Sequence, residues 1–385
     1  MQAHELEGWL RLALTPGVGN TSARALLGAF GLPDAIFDQA NAALCAVVSP
    51  AQARALAEPP ETLAAQLAST LEWLNADPST RRILSLGDSM YPAALLQTED
   101  PPLMLYALAP ASFWAAAQWP VRALAVVGSR NPTAQGSDNA HYFARDLAQR
   151  GICIVSGLAL GIDGAAHEGA LAADGDAICT IAVVGTGLDR VYPARHRQLA
   201  HAIAQRGVLL SEYPLGTPPL AHHFPQRNRI LCGLASGTLV VEAALQSGSL
   251  ITARLCNEQG KEVFAIPGSI HAPQSRGCHA LIRQGAKLVE TALDILEEFP
   301  SWSETLSPLA QANLSVVQSA SPSVHQGHAD CPVLQALGFD PLAFDLLQSR
   351  CGWPTPQLQV RLMELELQGQ IARLPGGLFQ RTAQA

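Results

Sequence analysis

The sequence predicts an α/β protein built on a doubly wound parallel sheet, with a helical module before it and a winged helix after it. Three observations carry that class. From about residue 81 to 299, short apolar runs alternate with stretches of helical pattern. The runs are near-continuous rather than alternating, as parallel strands covered on both faces must be. They end in Gly and Ser, where a strand hands over to a helix, and such sheets bind ligands at the carboxyl ends of their strands.

The elements follow in order. Residues 1–80 alternate short helical patterns with breaks. Within them, LALTPGVGNTSARALLGAFG has the shape of a helix-hairpin-helix. Pro16, Gly17, Val18 and Gly19 make the hairpin, and Ala23, Leu26, Leu27 and Phe30 give the second helix an apolar face. Glycines in such a turn free backbone N–H groups for a DNA phosphate; a plain helical packing module has the same pattern. In 81–299, ALAVVGS (123–129) reads as a strand, and a helix follows Gly136. ICIVSG (152–157) is the next strand, with a helix after Gly161-Ile162-Asp163. Then come AICTIAVVGTG, a helix around 195–206, VLLSEY, a helix from Pro225, GTLVVEA, a helix from Ser249, KEVFAIPG, a short helix and AKLV. Residues 300–330, rich in Ser, Pro and Gln, read as a flexible linker, and His325 and His328 as solvated linker histidines. Residues 331–385 read as helix, helix and β-hairpin, with Pro375-Gly376-Gly377 as the turn. Charges there balance, Arg350, Arg361, Arg373 and Arg381 against Asp340, Asp345, Glu364 and Glu366. Two glutamates on the would-be recognition helix repel phosphate, which points this domain toward protein contacts or packing.

Composition removes several function classes. The chain has 385 residues, 48% hydrophobic and 15% charged, with a net charge of −8. A histone-like nonspecific binder is basic overall, so any nucleic-acid site here must be a focused groove on an acidic body. The only lysines are Lys261 and Lys287, and neither stands in a G-x-x-x-x-G-K-[ST] loop, which excludes a Walker A hydrolase. Phosphate binding must therefore rest mostly on arginine, which binds bidentately and stacks on bases. Eight cysteines form no C-x-x-C pair and read as reduced thiols of a cytoplasmic protein, without a metal site. The N-terminus lacks a signal-peptide pattern, and no apolar run approaches a membrane span.

The candidate chemistry is phosphate binding rather than catalysis. AVVGTGLDR has Arg190 where a dinucleotide fingerprint needs its third glycine, and no G-x-S-x-G elbow occurs. Asp163 and His167 read as a helix cap and a helix–sheet contact rather than a dyad. Glu212 and Glu242 follow apolar strands, where paired carboxylates could do acid–base work. A nucleotide N-glycosidase-like enzyme on the same fold, with Glu242 as acid–base, is therefore the alternative. Three strand-to-helix turns look like phosphate cradles: Gly128-Ser129-Arg130, Ser156-Gly157 with Gly161, and Ser247-Gly248-Ser249. Between them stands HFPQRNRIL, with Phe224, Arg227, Asn228 and Arg229. Its arginines are expected to hold a nucleic-acid backbone, and Phe224 to stack on a base or to pack.

VGSR, SGLALGID, HEGAL, TIAVVGTGLDRVYP, SEYP, FPQRNRILCGL, SGSLITA and VFAIPG stand in that order at close spacing. Together they closely resemble DNA-processing protein A, the DprA/Smf family of bacteria. The N-terminal module and the C-terminal winged helix resemble the three-domain form of that family. The resemblance implies an extended Rossmann-like domain over 81–299, a SAM-like helical domain over 1–80 and a winged helix over 331–385. It implies a cofactor-free mediator that binds single-stranded DNA, forms a homodimer and protects incoming DNA. Such a mediator loads RecA onto strands coated by single-strand-binding protein during natural transformation. On the same footing, Gly128, Ser129 and Arg130 match its phosphate-binding turn. Phe224, Arg227, Asn228 and Arg229 match its strand-binding segment, Ser156, Gly157 and Gly161 its glycine-rich floor, and Ser247, Gly248 and Ser249 a second phosphate turn. His196, and Cys278 with His279, depart from the family pattern. His222 and His223 stand where a lysine is common; if they contact DNA, binding should strengthen as the pH falls toward 6.

Overall fold

The computed structural model describes residues 2–175, 177–270, 272–303, 332–337 and 341–382. Nine strands form one sheet in the order β1-β2-β6-β5-β4-β3-β7-β8-β9. They are β1 (Arg81–Ser85), β2 (Met104–Leu108), β3 (Ala123–Val127), β4 (Cys153–Ser156), β5 (Thr180–Val183), β6 (Gly207–Ser211), β7 (Gly237–Val240), β8 (Glu262–Ala265) and β9 (Lys287–Leu288). From β3 to β9 every pairing is parallel. β3, β4, β5, β6 and β7 are buried at every position, which is why they read as continuous apolar runs.

The parallel reading holds for these seven strands and is corrected at one edge. β1 pairs antiparallel with β2, and β2 antiparallel with β6. The whole sheet is thus mixed. Sequence patterning missed both antiparallel strands, β1 and β2: RRILS opens on two arginines, and the pairing of β1 and β2 spans a loop that carries its own short helix.

The chain lays β4, β5 and β6 to one side of β3, then returns to place β7, β8 and β9 on the other. The strand order therefore reverses between β3 and β7, and a crevice at such a switch point is where these sheets take ligands. One face of the sheet is covered by α9 (Ala134–Gln149), α10 (Ile162–Leu171) and α15 (Ala292–Leu296), through Ala140, Ala144, Leu147, Ala166, Ala170 and Ile295. The other is covered by α7 (Ala93–Leu96), α8 (Ala111–Ala116) and α12 (His223–Leu234), through Leu95, Phe113, Ile230 and Leu231. α13 (Gly248–Glu258) and α14 (Arg276–Arg283) close the β7–β8 end around Cys232, Ala253, Cys256 and Cys278. α11 (Arg197–Arg206) packs on β6.

The N-terminal helices are α1 (Ala3–Leu14), α2 (Asn20–Phe30), α3 (Pro33–Phe37), α4 (Asn41–Cys45), α5 (Pro50–Ala57) and α6 (Leu63–Ala76). Their core, with Leu10, Leu26, Ile36 and Leu56, runs on into Ile83, Met104 and Tyr106 of β1 and β2. The hairpin between α1 and α2 is fastened by α5: the Gln52 amide donates to Gly17 O at 2.8 Å and to Ser22 Oγ at 2.9 Å.

Of the predicted linker, 300–303 is instead α16 (Pro300–Ser303), because Trp302 stacks on Phe299 at 4.0 Å and enters the sheet's core. The remainder, with His325 and His328, lies outside the described residues. Beyond it come α17 (Pro332–Leu337), β10 (Leu342–Ala343), α18 (Phe344–Cys351), α19 (Thr355–Leu367), β11 (Ile371–Leu374) and β12 (Leu378–Arg381). The order β10-β12-β11 and a core of Leu347, Leu358, Leu362, Leu365 and Phe379 make the winged helix. No described helix is long and apolar enough to cross a membrane.

Candidate nucleic-acid interface

At the switch point lies a groove of about 500 Å³. Its walls are Gly128, Ser129 and Arg130 after β3, then Phe224, Arg227 and Asn228 on α12, and Ser247, Gly248 and Ser249 at the start of α13. The fold brings these together because β3 and β7 are neighbours while α12 and α13 pack side by side. Two of the three expected cradles thus share one groove.

The turn after β3 is fixed by its own backbone. Ser129 Oγ accepts from Asn131 N at 3.1 Å, and Ser129 O accepts from Ile162 N at 3.1 Å. Arg130 is left exposed, with its guanidinium 5.4 Å from the Phe224 ring centroid and no ion pair among the described residues. Asn228 is 9% exposed, and its amide makes no hydrogen bond among the described residues. Lining the groove, that amide is free to meet a ligand there. Across from it, Ser247 Oγ accepts from Ser249 N at 3.3 Å and lies 2.7 Å from Ser249 Oγ, capping α13 so that its N-terminus faces the groove.

The middle cradle is corrected. Ser156 is fully buried and its hydroxyl donates to Val126 O at 2.7 Å. The backbone N–H groups of Gly157 and Ala159 donate to Asp163 Oδ2 at 3.1 and 3.3 Å. Asp163 therefore holds the loop before α10 rather than capping the helix, and it occupies the donors that a phosphate would need. Gly157 is required because a Cβ there would collide with the Arg227 guanidinium. Gly161 takes φ +80° against Ser129 O and starts α10. This loop supports the groove from beneath.

The arginine pair is corrected as well. Arg227 is 4% exposed; its guanidinium donates to Val183 O and lies 3.8 Å from Asp163. Burial raises the Asp163 carboxyl, and the Arg227 charge opposes that rise. Arg227 lends charge to the groove floor rather than a free fork. Arg229 lies on the side of α12 away from the groove. It pairs with Glu212 and, at 3.0 Å, with Asp100, while Arg24 binds Asp100 too. The segment contains no acid, but the fold supplies two from other segments. Burial raises Glu212, with Arg229 countering.

The remaining candidates resolve as structural groups. His167 is fully buried with Nδ1 2.7 Å from Thr180 Oγ1, a helix–sheet contact, and burial lowers its pKa to about 3. Glu242 accepts from Thr133 N and from Thr133 Oγ1, fixing the start of α9; burial raises its carboxyl, with those bonds opposing. Its carboxylate is thereby committed. His223 is buried, stacked on Tyr213 at 3.9 Å, and burial lowers its pKa. Burial thus opposes its protonation and weakens, at this residue, the expectation of tighter binding as the pH falls toward 6. One neighbour escaped the sequence reading: Tyr192, whose ring lies 5.6 Å from Phe224.

Fold and groove define the class: an extended Rossmann-like protein with its candidate site at the switch point and a winged helix behind it. Comparison with known proteins assigns the family. Residues 82–300 match DNA recombination-mediator protein A, and 320–377 match the DprA winged helix domain. Protein Smf of Escherichia coli is 43% identical over 80% of this chain and 79% of its own. DNA processing protein DprA of Bacillus subtilis is 42% identical over 56% of this chain and 71% of its own. The X-ray structure of DNA processing protein A from Streptococcus pneumoniae superposes with a TM-score of 0.63 at 34% identity, covering 77% of this chain and 98% of that one. DNA processing protein A from Helicobacter pylori, whose structure was determined for its single-stranded DNA binding mode, gives 0.50 at 30% identity, covering 58% and 98%. The chain belongs to the DNA recombination-mediator protein A family, also called DprA or Smf.

Proposed function

We propose that this protein is a single-stranded DNA-binding recombination mediator that protects incoming DNA and loads RecA onto it during natural transformation. It works in the cytoplasm as a homodimer on strands shared with single-strand-binding protein. The carrying observation is the groove: an unpaired Arg130 beside Phe224, facing an unpartnered Asn228 and the start of α13, on a chain of net charge −8. Arginine and a helix N-terminus suit phosphates, and an aromatic face suits unstacked bases, which a duplex does not offer. Contacts are assigned to Gly128, Ser129, Arg130, Phe224, Asn228, Ser247, Gly248 and Ser249. Ser156, Gly157, Gly161, Arg227 and Arg229 are assigned to shaping and supporting that surface.

The test is a gel shift on single- and double-stranded oligonucleotides, with RecA-dependent strand pairing in parallel. Wild type is expected to favour the single strand and to stimulate pairing in the presence of single-strand-binding protein. Arg130→Ala should weaken binding about tenfold at unchanged thermal stability. Equal affinity for duplex, or full affinity in that variant, would remove the assignment.

A further inference from the structure

Beyond the groove, the segment Tyr192–Arg197 exposes Tyr192, Arg195 and Arg197, whose side-chain polar groups make no hydrogen bond or ion pair among the described residues. Tyr192 is 47% exposed, and its ring is tilted 38° to Phe224. Arg195 and Arg197 are exposed and form no ion pair among the described residues. The nearest acid in sequence, Asp189, is already bound to Arg190 at 3.0 Å and to Gly216 N at 2.8 Å. The segment is also held in place. His196 Nδ1 lies 3.0 Å from Leu158 O, next to Ala159 of the groove, and its ring packs so close to Gly164 that a Cβ there would come within 2.7 Å. Between these two arginines His196 anchors the segment, while the arginines face solvent.

We propose that Tyr192, Arg195 and Arg197 form a second nucleotide subsite that continues the groove. Tyr192 stacks one base beside the base on Phe224, and the two arginines hold the flanking phosphates. This rests on the reading of the groove as a single-strand site. Its occupant is the next stretch of the same DNA strand, since an exposed aromatic set among unpaired guanidiniums matches unstacked bases and a phosphate backbone. A long strand would thus be followed over two aromatic steps rather than gripped at one.

The experiment uses the full chain and a fluorescent oligothymidylate, intact or with abasic positions. Tyr192→Ala should bind the intact strand about tenfold more weakly and the abasic strand like wild type, with Tyr192→Phe restoring affinity. Arg195→Ala with Arg197→Ala should flatten the slope of log K against log salt by about 1.4, at about 0.7 per single-strand phosphate. Wild-type affinity in Tyr192→Ala, or an equal loss on intact and abasic strands, overturns the subsite alone, provided Arg130→Ala is weakened. An unweakened Arg130→Ala, or a wild type that ignores the strand, overturns the groove reading beneath it.

Discussion

At the scale of the residue, the same side-chain type has three fates within one hundred positions. Arg130 is exposed and unpaired, Arg227 is buried beside Asp163, and Arg229 is held by Glu212 and Asp100. Their substitutions should separate accordingly. Arg229→Ala leaves Glu212, 13% exposed, without its counter-charge, so it should lose about 3 kcal/mol of stability in urea titration. A stability unchanged from wild type would show that the cluster is solvated rather than structural. A second separation follows from His167. Its folded pKa, about 3, lies below the unfolded value of about 6.5, so the unfolded chain binds the extra proton. The stability it contributes is complete above pH 6.5 and is lost as the pH falls toward 3. Between pH 7 and 5 the loss is about 2 kcal/mol. Buried Asp163 and Glu242 shift the other way, so the readout is the difference between wild type and His167→Gln, in which that pH-dependent loss should vanish.

At the scale of the element, the loop between β4 and α10 shows why the site was only partly legible. From β3 to β7 the strands announce themselves, because burial on both faces demands unbroken apolar runs such as ALAVV and CIVS. The turns that follow are legible as turns from their Gly and Ser. Which turns stay open is decided by partners that pattern does not reveal. Asp163 fills the Gly157 and Ala159 donors, whereas the turn before α13 carries only its own serines. Likewise Arg229 meets Asp100 across the fold, and Tyr192 meets Phe224. If this loop supports the groove as a rigid layer, Gly157→Ala must displace Arg227 and break its buried pairing. We expect at least 3 kcal/mol of destabilisation by urea titration. A variant as stable as wild type would mean that the loop yields and does not set the groove. α19 fits the same logic from the other side. It exposes Val360, Met363 and Leu367, and its Arg361 is paired with Glu364 at 2.7 Å. That surface suits a protein better than phosphate.

At the scale of the whole molecule, an acidic protein must bind an acidic polymer through few charges. A body of net charge −8 repels DNA at long range, and only a local cluster offsets this. Among the described residues, the free cations at the groove and its proposed extension are Arg130, Arg195 and Arg197; Arg227 is buried and Arg229 compensated. Three phosphates neutralised on a single strand give a slope of log K against log salt of about −2, at about 0.7 each. Fluorescence titration between about 50 and 300 mM salt should therefore show a shallow dependence, with stacking on Phe224 and Tyr192 supplying affinity that salt does not screen. Such binding would persist in salt that strips a basic coating protein from DNA. A slope steeper than about −5 would require phosphate contacts well beyond this groove, on the winged helix or on a second copy, and would move the centre of binding away from the switch point.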